Sequence, residues 1–226
     1  MISHKHEFIF IQIPKTACTS CAKALRRFSD PVLQERKHWY SPYFKHITLK
    51  EISNDLPKKT VDQYFKFSFV RNPYDWLVSN YSYCRGIHAP YVKRYMAPRL
   101  PKHEITLYKN IPHYKLDAMN FKEWVKWYVD NIYGTQLELI EDESGKVLLD
   151  FIGRFENLQK DFNTVCDKIG IPQQELPHLN KNPASISVKG KPKRYEEYYD
   201  DETKEIVADK YAKDLEYLGY DFQGIR

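Results

Sequence analysis

Lys15, Thr16, Ala17, Cys18, Thr19 and Ser20 follow the apolar run of residues 8–13 and Pro14, and they lead into residues with helical spacing. That order of types suits an anion. A helix N-terminus supplies N–H donors and a partial positive charge. Lys15 adds a full charge, and Thr16, Thr19 and Ser20 add hydroxyls. Ala17 and Cys18 are small enough for a ligand to approach the backbone. The stretch departs from the ATP-type loop, in which lysine directly precedes a helix-opening Ser/Thr after a run of glycines. Here Lys15 lies four residues before Thr19, and the loop has no glycine. The same residues contain a Cys-x-x-Cys pair, Cys18 and Cys21, which is the dithiol spacing of redox proteins. Cys21 shares a helical face with Ala24, Leu25 and Phe28, which favours a small core residue over a reactive one.

The elements around this loop read as follows. Residues 8–13 form a buried strand, and a helix starts near Thr19 and ends at Asp30-Pro31. A short helix fits residues 48–54. Residues 65–70, FKFSFV, form a second strand that stops at Arg71, with Asn72 as N-cap and Pro73 as first helical residue. Leu77, Tyr81 and Cys84 then share a helical face. A strand–turn–helix unit thus occurs twice, which favours a parallel sheet with crossover helices. Residues 86–118 are irregular, and a stretch of that length in a compact domain is often functional. Phe121 to Tyr128 reads as helix, and residues 136–155 as a hairpin turning near Glu143–Gly145 and running into a strand. A helix marked by Leu158, Phe162, Val165 and Ile169 closes at Gly170, and a last one spans about 201–218.

Two stretches together resemble the sulfotransferases that use 3′-phosphoadenosine 5′-phosphosulfate. IPKTACTS, residues 13–20, resembles their phosphosulfate-binding loop. FSFVRNPYDWLVSNY, residues 67–81, resembles their 3′-phosphate motif, in which an arginine ends a strand and a serine follows eight residues later, as Arg71 and Ser79 do here. Residues 150–162 and 198–222 look like later segments of the carbohydrate sulfotransferase group. Where many members have glycine this chain has Cys18, as do relatives with Ala-Cys-Thr in the loop. The resemblance implies a P-loop NTPase-like α/β fold, three layers α/β/α around a mostly parallel central sheet, in a single domain over 1–226 with an irregular insertion at about 86–118. It implies transfer of a sulfuryl group to a hydroxyl acceptor, a carbohydrate, with the phosphosulfate nucleotide as co-substrate and no metal.

The implied roles follow the motifs. Lys15 binds the bridging region of the phosphosulfate and offsets charge as the phosphate leaves. Thr16, Ala17, Cys18, Thr19 and Ser20 wrap the 5′-phosphate. Arg71, as a two-pronged donor, and Ser79 hold the 3′-phosphate. Transfer to a hydroxyl needs a base, and relatives place a histidine or a carboxylate between the two loops. His46, in KHITLKEI, fits that segment better than His38. Residues 177–194 look like a loop closing over the nucleotide, with Asn180, Lys181 and Lys189 as candidate contacts. His88, His103 and His113 lack ligand spacing, so no metal site is assigned. Arg85, Lys93, Arg94 and Arg99 are candidate contacts to an anionic glycan, or solvated surface.

Bulk properties set the remaining bounds. The 226 residues suit one large domain, and 42% hydrophobic with 29% charged residues indicate a soluble globular class. A net charge of +5 is too small to imply nucleic acid. No signal sequence or membrane span is read, and four cysteines without disulfide spacing fit a reducing compartment, so a cytoplasmic location is expected. Three competitors stand beside the leading reading: a nucleotide kinase with an aberrant loop, a non-catalytic anion or glycan binder, and a Cys-x-x-Cys thiol oxidoreductase.

Overall fold

The computed structural model of the chain describes residues 1–30, 47–83, 119–131, 134–177 and 194–226. These fall into two compact units, one within Met1–Arg71 and Gly134–Leu179, the other within Asn72–Tyr133 and Asn180–Arg226.

The first unit holds a four-stranded sheet in the order β1 (Ile2–Ser3), β2 (Phe8–Ile11), β3 (Phe65–Val70), β4 (Phe151–Arg154). β1 runs antiparallel to β2, whereas β2–β3 and β3–β4 are parallel. The protein is therefore α/β with a mostly parallel sheet. Successive strand residues point to opposite faces, so Phe8, Phe10, Phe67 and Phe69 share one. The Phe10 and Phe67 rings stack at 4.9 Å. Cys18, Cys21 and Leu25 of helix α1 (Cys18–Leu25) join that aromatic row in a single buried cluster. So do Phe162, Val165 and Cys166 from α6 (Leu158–Lys168). Gly153 on β4 is required by packing: a Cβ there would lie 2.5 Å from the Phe69 ring. Ser68 donates its hydroxyl proton to the Ile11 carbonyl at 2.8 Å, which pins β3 to β2 in the register Ile11↔Ser68.

Shorter elements lead into these strands. Helix α2 (Leu49–Asp55) opens with a capping box, the Thr48 hydroxyl accepting from the Glu51 N–H and the Glu51 carboxylate accepting from the Thr48 N–H. Helix α3 (Lys58–Gln63), absent from the sequence reading, delivers the chain to β3. The expected hairpin reduces to one antiparallel bridge, Glu141↔Val147, because the Asp142 carboxylate takes the N–H groups of Ser144 and Lys146 and curls the turn on itself. Residues Leu137–Leu139 form a 3₁₀ turn where extended chain was expected.

The second unit contains α4 (Pro73–Tyr83), α5 (Phe121–Asn131), α7 (Asp201–Lys210), α8 (Ala212–Tyr217) and a two-stranded ribbon, β5 (Tyr220–Asp221) with β6 (Gly224–Ile225). Asn72 caps α4, its side-chain Oδ1 accepting from the Tyr74 N–H at 3.0 Å. Tyr81 packs on Phe121 and Trp124, and Trp124 stacks on Tyr128 at 4.4 Å. The single helix expected over 201–218 is two, interrupted at fully buried Tyr211, whose φ and ψ are −107° and 22°. Its apolar period survives the break, since Val207, Tyr211, Leu215 and Leu218 are all buried. Among the described residues no helix is long and apolar enough to cross a membrane. The irregular stretch at 86–118 and Cys84 lie outside the described residues.

A candidate anion site at the ends of β2 and β3

In open α/β sheets, ligands bind beyond the carboxyl ends of the strands. Here the chain leaves β2 through residues 12–17 and leaves β3 at Arg71. The absence of glycine in the first turn does not make it loose or flat. Lys15 and Ala17 both adopt left-handed backbone conformations, with φ of 65° and 61°, on either side of Thr16. Such a conformation costs an ordinary residue about 1–2 kcal/mol, so the surrounding structure must hold the turn. Thr16 does part of this. It is buried, and its hydroxyl donates back to the Ile13 carbonyl at 2.9 Å.

Ala17 is the N-cap of α1, and its carbonyl accepts from the N–H groups of Ser20 and Cys21. Among the described residues no side chain caps the helix, and a helix N-terminus has donor character. Backbone N–H groups, more than hydroxyls, are therefore what this loop can offer an anion. The Thr16 proton is spent inside the turn, Cys18 turns its side chain into the core, and Ser20 is buried. Thr19 is exposed and Lys15 half-buried.

Arg71 meets this turn. Its guanidinium Nη1 donates to the Lys15 carbonyl at 3.3 Å, and its Cζ lies 4.1 Å from the centre of the Phe155 ring. Stacking on an aromatic face suits the planar guanidinium. The Arg71 backbone is held by a buried side chain: its N–H donates to Gln136 Oε1 at 2.9 Å, and its carbonyl accepts from Gln136 Nε2 at 2.8 Å. The structure thus brings together Lys15, the 16–20 turn and Arg71. Sequence reasoning missed Gln136 and Phe155. Phe155 was within reach of it, as the first residue past β4 and so at the same end of the sheet. Nothing in the types around Gln136 marks it out.

Ser79 is half-buried on α4, in the second unit. His46, His38, Asn180, Lys181 and Lys189 fall outside the described residues, as do Arg85, Lys93, Arg94 and Arg99. Among the described residues, no group of three His, Cys, Asp or Glu side chains is placed to hold a metal.

The dithiol alternative loses its footing here. Cys21 is fully buried, and burial first, then the neighbouring Cys18, pushes its thiol well above the ordinary range. A redox dithiol needs an exposed, acidified thiol. Cys21 and Cys18 instead pack with Phe8, Phe10 and Leu25 in the core.

The sequence model of the sulfotransferase family matches residues 1–221. The chain belongs to that family. Mouse carbohydrate sulfotransferase 11 is 26% identical over 193 residues, covering 76% of this chain and 53% of its own. Zebrafish (Danio rerio) carbohydrate sulfotransferase 14 is 23% identical over 180 residues, covering 76% and 48% respectively. An uncharacterized protein of Archaeoglobus fulgidus is 30% identical over 131 residues, 57% of this chain and 87% of that one. Among solved structures, mouse sulfotransferase SULT7A1 complexed with PAP aligns with 95% of this chain and 85% of its own, at 13% identity and a TM-score of 0.49. This sulfotransferase-family chain spans about half the length of the carbohydrate sulfotransferases it matches. The resemblance drawn from the two turns therefore holds at the level of the family, and carbohydrate sulfotransferases are among its relatives.

Proposed function

We propose that the chain transfers a sulfuryl group from 3′-phosphoadenosine 5′-phosphosulfate to a hydroxyl of a carbohydrate. One observation carries the reading: the Arg71 guanidinium reaches the Lys15 carbonyl, so two cationic turns on neighbouring parallel strands meet at one end of the sheet. A nucleotide with phosphate at both its 5′ and 3′ positions calls for such a pair of anion sites. Family membership and the carbohydrate sulfotransferase names of its relatives point the same way.

In this reading the 16–20 turn holds the 5′-phosphate through backbone N–H groups, and Arg71, with Ser79, holds the 3′-phosphate. The acceptor oxygen attacks sulfur as the bond from sulfur to the phosphate oxygen breaks. The acceptor's proton passes to a base, assigned to His46 with His38 behind it. The charge left on the departing phosphate is met by Lys15 and the N-terminus of α1. The products are a sulfate ester and adenosine 3′,5′-bisphosphate. The chain's own contribution is placement and electrostatics, and no metal enters the scheme. Asn180, Lys181 and Lys189 are assigned to the nucleotide.

Calorimetry with adenosine 3′,5′-bisphosphate, AMP and ATP tests this. The bisphosphate should bind at least about tenfold more tightly than AMP, since one charge-assisted contact is worth about 1.5–3 kcal/mol. Equal affinities for the two would end the reading. Magnesium-dependent ATP binding would favour a kinase, and tight bisphosphate binding without transfer of labelled sulfate to any glycan would favour a non-catalytic binder.

A further inference from the structure

Arg71 sits where the sheet stops. β3 ends at Val70, whose partner on β4 is Arg154, and beyond Arg154 the chain turns into the 3₁₀ segment Phe155–Asn157. Among the described residues no strand residue continues the ladder past Val70, and both backbone groups of Arg71 bond to the Gln136 amide. That amide works as one residue of substitute strand. Its orientation is dictated, because a peptide N–H needs an acceptor and a peptide carbonyl needs a donor. The glutamine amide offers both in one plane.

Gln136 is itself fixed. Leu137 and Ile140 beside it are buried, and the 3₁₀ turn they belong to is closed by the Leu139 N–H donating to the Gln136 carbonyl. At its entry the Glu138 N–H donates to Thr135 Oγ1, and the Thr135 N–H donates to the Glu138 carboxylate. The rigid point therefore comes from a segment 65 residues away in sequence. With the backbone clamped, the Phe155 ring beneath the guanidinium and the Lys15 carbonyl at its edge restrict the side chain further.

We propose that Gln136 is a positioning residue for the 3′-phosphate: its buried amide fixes the Arg71 backbone, so that the guanidinium is aimed before the nucleotide arrives. The inference rests on the function proposed above and adds a residue that neither nucleotide motif contains. Preorganised charge binds more tightly because ordering is not required at the moment of binding.

The test compares wild type, Gln136→Met, Gln136→Glu, Arg71→Ala and the double variant Arg71→Ala/Gln136→Met, by calorimetry with adenosine 3′,5′-bisphosphate and AMP. Methionine keeps the volume and removes both bonds, whereas glutamate keeps the acceptor and removes the donor. We expect Gln136→Met to bind the bisphosphate about tenfold more weakly with AMP affinity changed less than twofold. Gln136→Glu should weaken bisphosphate binding at least as much, since it sets a carboxylate oxygen against the Arg71 carbonyl. The double variant should be no weaker than Arg71→Ala alone, because the effect runs through the arginine. An equal loss for both nucleotides in Gln136→Met overturns the inference, as does a further loss in the double variant or an unaltered bisphosphate affinity. Failure of both Gln136 variants to fold also overturns it, since the residue then serves the fold rather than the arginine. A wild-type protein that does not distinguish the two nucleotides refutes the functional reading instead.

Discussion

Lys15 is both the charge and the bend of its turn. Its φ of 65° means that its backbone is bent out of the ordinary region at the point where its side chain departs, while its carbonyl accepts from Arg71. Removing the ammonium should leave that backbone arrangement in place and take away only the charge. We expect Lys15→Ala to lower sulfuryl transfer by about 10²–10³-fold, the size seen when one electrostatic donor is removed from a developing anion. The nucleotide should still be retained through the 16–20 turn and Arg71. A labelled-donor transfer assay beside calorimetry reads both, and near-normal turnover would take Lys15 out of the mechanism. The residues that meet at the ends of β2 and β3 were legible where they sit in contiguous stretches with a local logic, as Lys15 and Arg71 do. Gln136 was not, because its role arises only when a distant segment folds back onto Arg71, and no local pattern encodes that approach.

Elements with a strong period or a strong stop were the readable ones. β3 and α4 follow from six apolar-rich residues, then Asn72 and Pro73 at the places where a helix start needs them. α2 carries its capping box in the sequence. α3 was missed since KKTVDQ buries only Val61 and shows no period. The strand expected before Asp142 does not form, because the Asp142 side chain, not a ladder, organises that turn. The most exacting packing demand falls on β4. Gly153→Ala would push a methyl group into the Phe69 ring, in the same buried cluster that carries Cys18 at the start of α1. We expect a loss of about 1–3 kcal/mol, the usual penalty for overfilling a core, seen as a lower urea midpoint with an unchanged slope. A midpoint within error of wild type would show that the ring yields freely.

Across the whole molecule, the cysteines link the core to alkaline pH. Burial raises the Cys166 thiol from about 9 to about 11 and raises that of Cys21 in the same direction. The unfolded chain therefore gives up these protons first as pH climbs. Between about 9 and 11 the folded state binds more protons than the unfolded one, so folding stability falls with rising pH. It is fully present below about pH 9. Urea unfolding at pH 8, 9 and 10 should show the decline, and Cys166→Ala should make it shallower; an identical slope in that variant would remove Cys166 as a cause. The mostly parallel α/β architecture was legible from two strand–turn–helix units in series. The division of the described residues into two compact units was not, because the boundary at Arg71–Asn72 falls inside a motif that reads as continuous.

The left-handed residues of the first turn have one more consequence. Ala17 adopts a shape that glycine takes without strain, so a glycine there would relieve the folded chain while letting the unfolded chain wander more widely. Lys15 has no such exchange open to it, since the residue that would relax its backbone has no ammonium to offer. Natural drift and directed evolution should therefore treat these neighbouring positions in opposite ways, permissive at one and closed at the other, although both bend the chain in the same sense.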